Sequence, residues 1–232
     1  MAYSFDFSSV LSGDHLHWLI DGLILTLELT VCCWLLAFAW AVVLLILRNS
    51  TFKPAEWFVA AFVEVHQNIP LLVQVLFWYF AMPEFFPEAI RTWINERNSE
   101  FILAMFAVAF CMSAYMSEAL RSGMRAIPHT QYEAGRVLGF GYLRTMRYIV
   151  LPQAIKHAIP PLLNYSLLLF KNTSIAMAIG VHELTYQSRE IENDTFRTFE
   201  TFAVVTVIYM AISFLIMMAG AAYERRQLVP TR

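Results

Sequence analysis

From Leu29 to Leu47 no residue carries a charge, and none does from Thr201 to Tyr223. A helix of about twenty apolar residues spans the hydrocarbon of a bilayer. No water is available there, so the backbone must satisfy its own polar groups, and a helix does so within one segment. Three further stretches read the same way: Val65 to Pro83, Phe101 to Ser117, and Ile159 to Val181, the last interrupted by Lys171. Charged residues make up 15% of the chain, against about 25% in soluble domains. The expected fold is therefore an all-α membrane protein of about five transmembrane helices, with spans near 19–47, 57–82, 101–120, 159–181 and 201–223. Pro70 is expected to bend the second span, because an interior proline removes one hydrogen bond and crowds the preceding turn.

The charges between these runs orient them. Residues 1–18 hold Asp6 and Asp14 and no lysine or arginine; they also lack the basic start of a signal peptide. Residues 82–100 and 182–200 are net acidic, whereas 118–157 hold six bases against Glu118 and Glu133. The tail, 225–232, is basic. Lysine and arginine mark cytoplasmic loops. The N-terminal segment 1–18 is therefore expected in the periplasm, and the loop 121–158 and the tail in the cytoplasm. Trp78, Tyr79, Trp93 and Tyr223 fall near predicted interfaces.

No enzyme motif is found. The six histidines form no HExxH, and there is no GxSxG and no Walker A loop. Cys32, Cys33 and Cys111 lie in apolar runs without a CxxC spacing, so they read as core residues and not as metal ligands. A net charge of −2 gives no reason to expect nucleic acid. Neither cofactor nor metal is expected in this chain, and energy must come from a partner or an ion gradient. No internal repeat is visible, which weakens the case for a self-contained carrier.

The cytoplasmic loop carries the most specific pattern. Residues 133–152 read EAGRVLGFGYLRTMRYIVLP. Val137, Phe140, Leu143, Met146 and Val150 recur every three or four residues, which predicts one apolar stripe. Gly139 and Gly141 predict two short helices meeting at a bend, and Pro152 is expected to end the second. Glu133 is expected near the start of the first, where an acid complements the helix dipole.

This pattern resembles the EAA loop of ATP-binding-cassette importer permeases: EAA, three residues, Gly, nine residues, then I-x-LP, with Gly135 in place of the second alanine. The likeness extends over about residues 19–224. Asp21-Gly22-Leu23 with Thr26-Leu27, the run from Glu64 through Asn68 and Pro70 to Gln74, Ala114-Tyr115 with Glu118 and Arg121, and Phe170-Lys171-Asn172-Thr173-Ser174 are similar to segments of the polar amino-acid uptake permeases. Gln67 stands where those carry arginine. Trp78-Tyr79 with Pro83, Glu84 and Pro87 resembles the glutamate/aspartate type.

The resemblance implies a type I importer transmembrane domain, the non-catalytic permease subunit of a bacterial inner-membrane complex. Its implied partners are ATP-binding-cassette ATPase subunits that bind ATP and Mg, a second permease (the same or a different chain), a periplasmic amino-acid-binding protein and the bilayer. It places Glu133, Ala134, Gly135, Leu138, Gly139, Phe140, Leu151 and Pro152 at the ATPase. Asn68, Gln74, Glu118, Lys171, Asn172, Thr173 and Ser174 are candidates for the translocation path. A mid-span lysine costs about 2.5–3.5 kcal/mol on insertion scales. Lys171 therefore meets a substrate carboxylate, pairs structurally with Glu118 or Glu64, or snorkels. The small polar residues after it line a cavity at an unwound turn or bond between helices. A gradient-driven carrier or channel, and a membrane scaffold, are the alternative readings.

Overall fold

A computed structural model describes residues 4–227. Helix α1, Gly13–Arg48, has 36 residues and is about 54 Å long at 1.5 Å per residue. It exceeds a hydrocarbon core of about 30 Å, so its first turns lie beyond the span. Its buried residues, Leu19, Gly22, Thr26, Leu29, Cys33, Ala37, Ala41 and Leu44, form one stripe at helical spacing. Most of them are small, and they let α5, Ser99–Arg125, approach closely. The other faces of α1 expose Val31, Leu35 and Ile46, as a lipid-facing helix does.

Helix α5 is the hub, packing against α1, against α3 (Leu71–Phe80) and against α8 (Leu151–Asn172). Its own buried face is rich in alanine, and Gly123 closes the contact with α8. A Cβ on Gly123 would lie 2.6 Å from the Ala154 carbonyl oxygen and 2.9 Å from the Ala158 Cβ. Small residues at such seams let backbones approach, which is how helices gain contact in lipid.

The second segment departs from expectation. Helices α2, Lys53–Asn68, and α3 meet at 107°. Pro70 does not bend a continuous span; the chain is extended at Ile69 and Pro70 (ψ 130° and 136°) and the helix starts afresh at Leu71. Extended backbone before a proline follows from the clash of its Cδ with the preceding residue. Four helices among the described residues are long and apolar enough to cross a membrane, and α2 with α3 supplies a fifth crossing only if the broken pair counts as one.

A 3-10 turn (Met82–Phe85) and α4 (Glu88–Asn95) lead to α5. After α5 come α6 (His129–Val137), the single turn α7 (Tyr142–Thr145), a π-turn (Met146–Val150) and α8. Pro152 does not end a helix here. It sits in the first turn of α8, where a missing N–H is tolerated, and the wider π-turn before it makes room for the ring. Pro160 and Pro161 also lie within α8 without ending it. A 3-10 segment, Thr173–Ile179, follows α8, then α9 (Leu184–Thr195) and α10 (Thr198–Gln227). Residues 228–232 of the predicted tail lie outside the described residues.

Candidate functional site

The loop after α5 folds around two glycines used in different ways. Gly139 has φ +74°, the left-handed region where a side chain costs strain, yet a Cβ there would touch nothing within 4 Å. Its N–H donates to the Arg136 carbonyl, and the Phe140 N–H donates to the Gly135 carbonyl. Those two bonds form a Schellman cap that stops α6 and satisfies its last carbonyls. Gly135 is an ordinary helical residue and is buried. There a Cβ would lie 2.6 Å from both Oγ1 and Cγ2 of Thr145. Gly135 is thus the close contact between α6 and the α7/π-turn strip.

The predicted single apolar stripe divides in two. Val150 is buried and Met146 half-buried against Ile127 and Ala154. Val137 and Leu143 are 86% and 80% exposed, and Leu138, Tyr142 and Tyr148 are exposed with them. The Schellman turn and the π-turn break the periodicity, so the apolar residues point two ways. Phe140 is half-buried, while Ala134, Leu151 and Pro152 are exposed. Glu133 is also displaced from its expected place. It is the fifth residue of α6, past the first turn, so the dipole argument does not apply to it.

The break between α2 and α3 ends a helix inside an apolar surrounding, where orphan carbonyls are costly. Buried Gln74 donates to the carbonyls of His66 (3.0 Å) and Ile69 (2.8 Å). The Cys111 thiol also reaches His66 O, and the Tyr115 hydroxyl reaches Gln67 O. Gln74 therefore holds the break together. Asn68 is exposed and turns back to its own helix, bonding the Glu64 carbonyl and carboxylate.

Glu118 binds Arg48 (2.6 Å) and Arg121, tying the ends of α1 and α5. Glu64 accepts from Asn68. Neither acid meets Lys171, so the structural pairs foreseen for it are absent. Lys171 is exposed in the last turn of α8 and makes no ion pair among the described residues. The residues after it wind into a 3-10 segment and do not unwind. Thr173 and Ser174 hydroxyls donate to carbonyls three residues back, and Asn172 lies 3.5 Å from Met112 Sδ. This segment packs on α3.

The family described as "Binding-protein-dependent transport system inner membrane component" matches residues 29–229. The chain belongs to that family. It is 30% identical over 225 residues to the glutamate/aspartate import permease protein GltK of Escherichia coli O6:H1, covering 97% of this chain and 99% of that one. It is 32% identical over 213 residues to the probable glutamine ABC transporter permease protein GlnM of Bacillus subtilis, covering 92% and 94%. Among solved structures, "Crystal structure of an amino acid ABC transporter with histidines" matches with TM-score 0.85 and 30% identity, covering 97% of this chain and all of that one. An inward-facing MetNI methionine transporter, at 18% identity and TM-score 0.74, shares the fold. This inner-membrane component is accordingly a multi-pass permease with the fold of a type I importer domain.

The binding-protein-dependent permease also holds residues that sequence reasoning missed or left unexplained. Gly22 and Thr26 dock α9 onto α1. A Cβ on Gly22 would lie 3.0 Å from Leu184 Cα, and the Thr26 hydroxyl accepts the Leu184 N–H (3.0 Å) while donating to Gly22 O (2.8 Å). Glu183 is fully buried at the N-cap of α9. Its carboxylate accepts the N–H groups of Thr185 and Tyr186 and the hydroxyl of Tyr209. Burial pushes its pKa up to about 7, against the pull of those three hydrogen bonds and of a fourth from the Thr185 hydroxyl. In the sequence Glu183 is one of five acids in an acidic loop, and nothing marks it out.

Proposed function

We propose that this chain is the permease subunit of an ATP-driven importer of amino acids, and that glutamate or aspartate is its substrate. The observation that carries the reading is the loop around Gly139, a capped turn that leaves Val137, Leu138, Tyr142 and Leu143 largely exposed among the described residues. Exposed apolar residues gathered on one loop mark a surface that another protein covers. The partner is the ATP-hydrolysing subunit, which binds ATP and Mg; this chain supplies no catalytic group. Glu133 to Phe140, with Leu151 and Pro152, form the surface through which its closure moves α5 and α8. The tight seams at Gly135 and Gly123 make that transmission rigid. A second permease completes the pathway, and a periplasmic protein delivers the solute.

The relatives' names divide among glutamate/aspartate, glutamine and arginine. Lys171 favours the acidic choice. An unpaired cation in a span is costly, and a substrate carboxylate is the counter-charge that the described residues do not provide. Gln74 shapes the path by holding the α2/α3 break, Glu118 by tying the ends of α1 and α5, and Asn68 at the end of α2 and Asn172 to Ser174 at the end of α8 stand along it. The loop charges support a periplasmic N-terminus and a cytoplasmic C-terminus.

Gly139→Asp tests the coupling role. The left-handed turn would strain by about 1–3 kcal/mol, and an acid would stand among the exposed apolar residues. Co-purification of the ATPase and solute-stimulated ATP hydrolysis in vesicles should both fall steeply, with the permease still inserted. Wild-type levels of both would remove this loop from the mechanism.

A further inference from the structure

Where α1, α2, α5 and α6 meet there is a cavity of about 380 Å³. Arg48, Arg121 and Arg125 stand on its wall, with His129 and Tyr132 from α6 and Glu56 from α2. Arg48 and Arg121 share the Glu118 carboxylate. Arg125 has no carboxylate within ion-pair distance among the described residues. Three guanidinium groups thus face two acids, Glu118 and Glu56, and one positive charge is left over before His129 is counted. His129 opens α6, whose cap position is Pro128 and offers no side-chain acceptor to the first N–H groups.

The position of the cavity narrows what the anion is. Arg48 directly follows the charge-free run that ends at Leu47, and Arg121 and Arg125 are one and two turns past Ser117, the end of another. The cavity therefore lies at the level where hydrocarbon gives way to headgroups. On α2, beside Glu56, Trp57 is 74% exposed, and Phe52 at its cap is 64% exposed. Large aromatic rings favour that same level of a bilayer. Guanidinium forks bind phosphate oxygens in pairs. Basic pockets between spans hold anionic headgroups, and a few hundred Å³ is the size of a small-ligand site.

We propose that this cavity binds the phosphate of an anionic phospholipid, with Arg125 as the free charge and the acyl chains running along Phe52 and Trp57. Binding there would fasten the start of α6, and with it the loop, to the bilayer. The purified permease complex, washed free of loose lipid, is offered phosphatidylglycerol, phosphatidylcholine with the same acyl chains, or sodium phosphate. Native mass spectrometry reports bound lipid and a melting curve reports stabilisation.

Wild type should retain phosphatidylglycerol over phosphatidylcholine and melt higher with it. Arg125→Gln should weaken that retention about tenfold, the scale of one lost charge-assisted hydrogen bond, and Arg125→Lys should recover part of it. Arg125 is exposed, so both variants should keep the wild-type elution profile and ATPase co-purification. Equal retention of the two lipids, or unchanged retention by Arg125→Gln, overturns the proposal. So does equal stabilisation by sodium phosphate at the same concentration, which marks a free-phosphate site. Loss of the ATPase by Arg125→Gln with phosphatidylglycerol still bound overturns it too, since the wall would then face protein.

Discussion

Replacing Gly135 by alanine adds one methyl group, which the structure places against Thr145. The new Cβ would lie 2.6 Å from both Thr145 Oγ1 and Cγ2 and 3.1 Å from its Cβ. Carbon contacts are comfortable at about 3.5–4.0 Å, so α6 and the α7/π-turn strip must separate by about 1 Å. Threonine is branched and short, and rotating it only exchanges one close atom for the other. Both residues are buried, so no gap is available to take the methyl. Overpacking of this kind costs about 1–3 kcal/mol. Alanine raises helix propensity by up to about 1 kcal/mol over glycine, which offsets part of the overpacking loss of about 1–3 kcal/mol and leaves a net cost of up to about 2 kcal/mol.

Because the strip carries the exposed Leu143 and Tyr148, the displacement should show in ATPase docking more than in membrane insertion. The assay is a double-mutant cycle on Gly135→Ala, Thr145→Ala and the pair, read by permease melting temperature and by ATPase co-purification. Gly135→Ala alone should lose docking; adding Thr145→Ala removes both clashing atoms and should restore it, with a coupling energy of about 1–2 kcal/mol in the rescuing direction. A Gly135→Ala variant that docks and melts like wild type refutes the contact. A pair no better than the single variant places the defect elsewhere.

The loop charges set one further expectation and the structure two more. A cysteine at Asn193 should label from outside the cell and a reporter fused after Arg225 should work only inside; labelling of both from one side sinks the orientation. Lys171→Met should leave assembly intact, because no acid among the described residues loses a partner, and should lower uptake of an acidic amino acid; uptake at wild-type rate removes Lys171 from the path. Glu183 has a folded pKa of about 7, above its ordinary value near 4.5, so the folded state holds a proton that the unfolded state gives up. Stability should therefore be fullest below about pH 4.5 and decline toward pH 7, by at most on the order of 3 kcal/mol. Glu183→Gln should flatten that slope in melting curves, and an unchanged slope assigns it to other groups.

Much of the architecture was legible in the chain itself. Charge-free runs mark spans because lipid offers a helix no other partner for its backbone, and that rule needs no knowledge of neighbours. The bend at Gly139 was readable for a similar reason, since glycine tolerates the positive φ that a tight turn between two short helices uses; that the turn is a Schellman cap came from the structure. Four decisions needed the tertiary structure. Pro70 looks like a bend in a span, but whether a helix bends or breaks depends on what satisfies the freed carbonyls, and those partners, Gln74, Cys111 and Tyr115, come from other helices. Pro152 looks like a stop, but a π-turn supplied upstream lets the helix run through it. Lys171 looks like half of an ion pair, but Glu118 is already held by Arg48 from a helix 70 residues away in sequence. Gly22 and Gly123 are small because Gln187 and Ala158 arrive from distant segments, and Gly135 because Thr145 folds back onto it across the turn. Period and composition act along the chain, whereas close contact and charge pairing act across it, and only the folded helices say which residues meet.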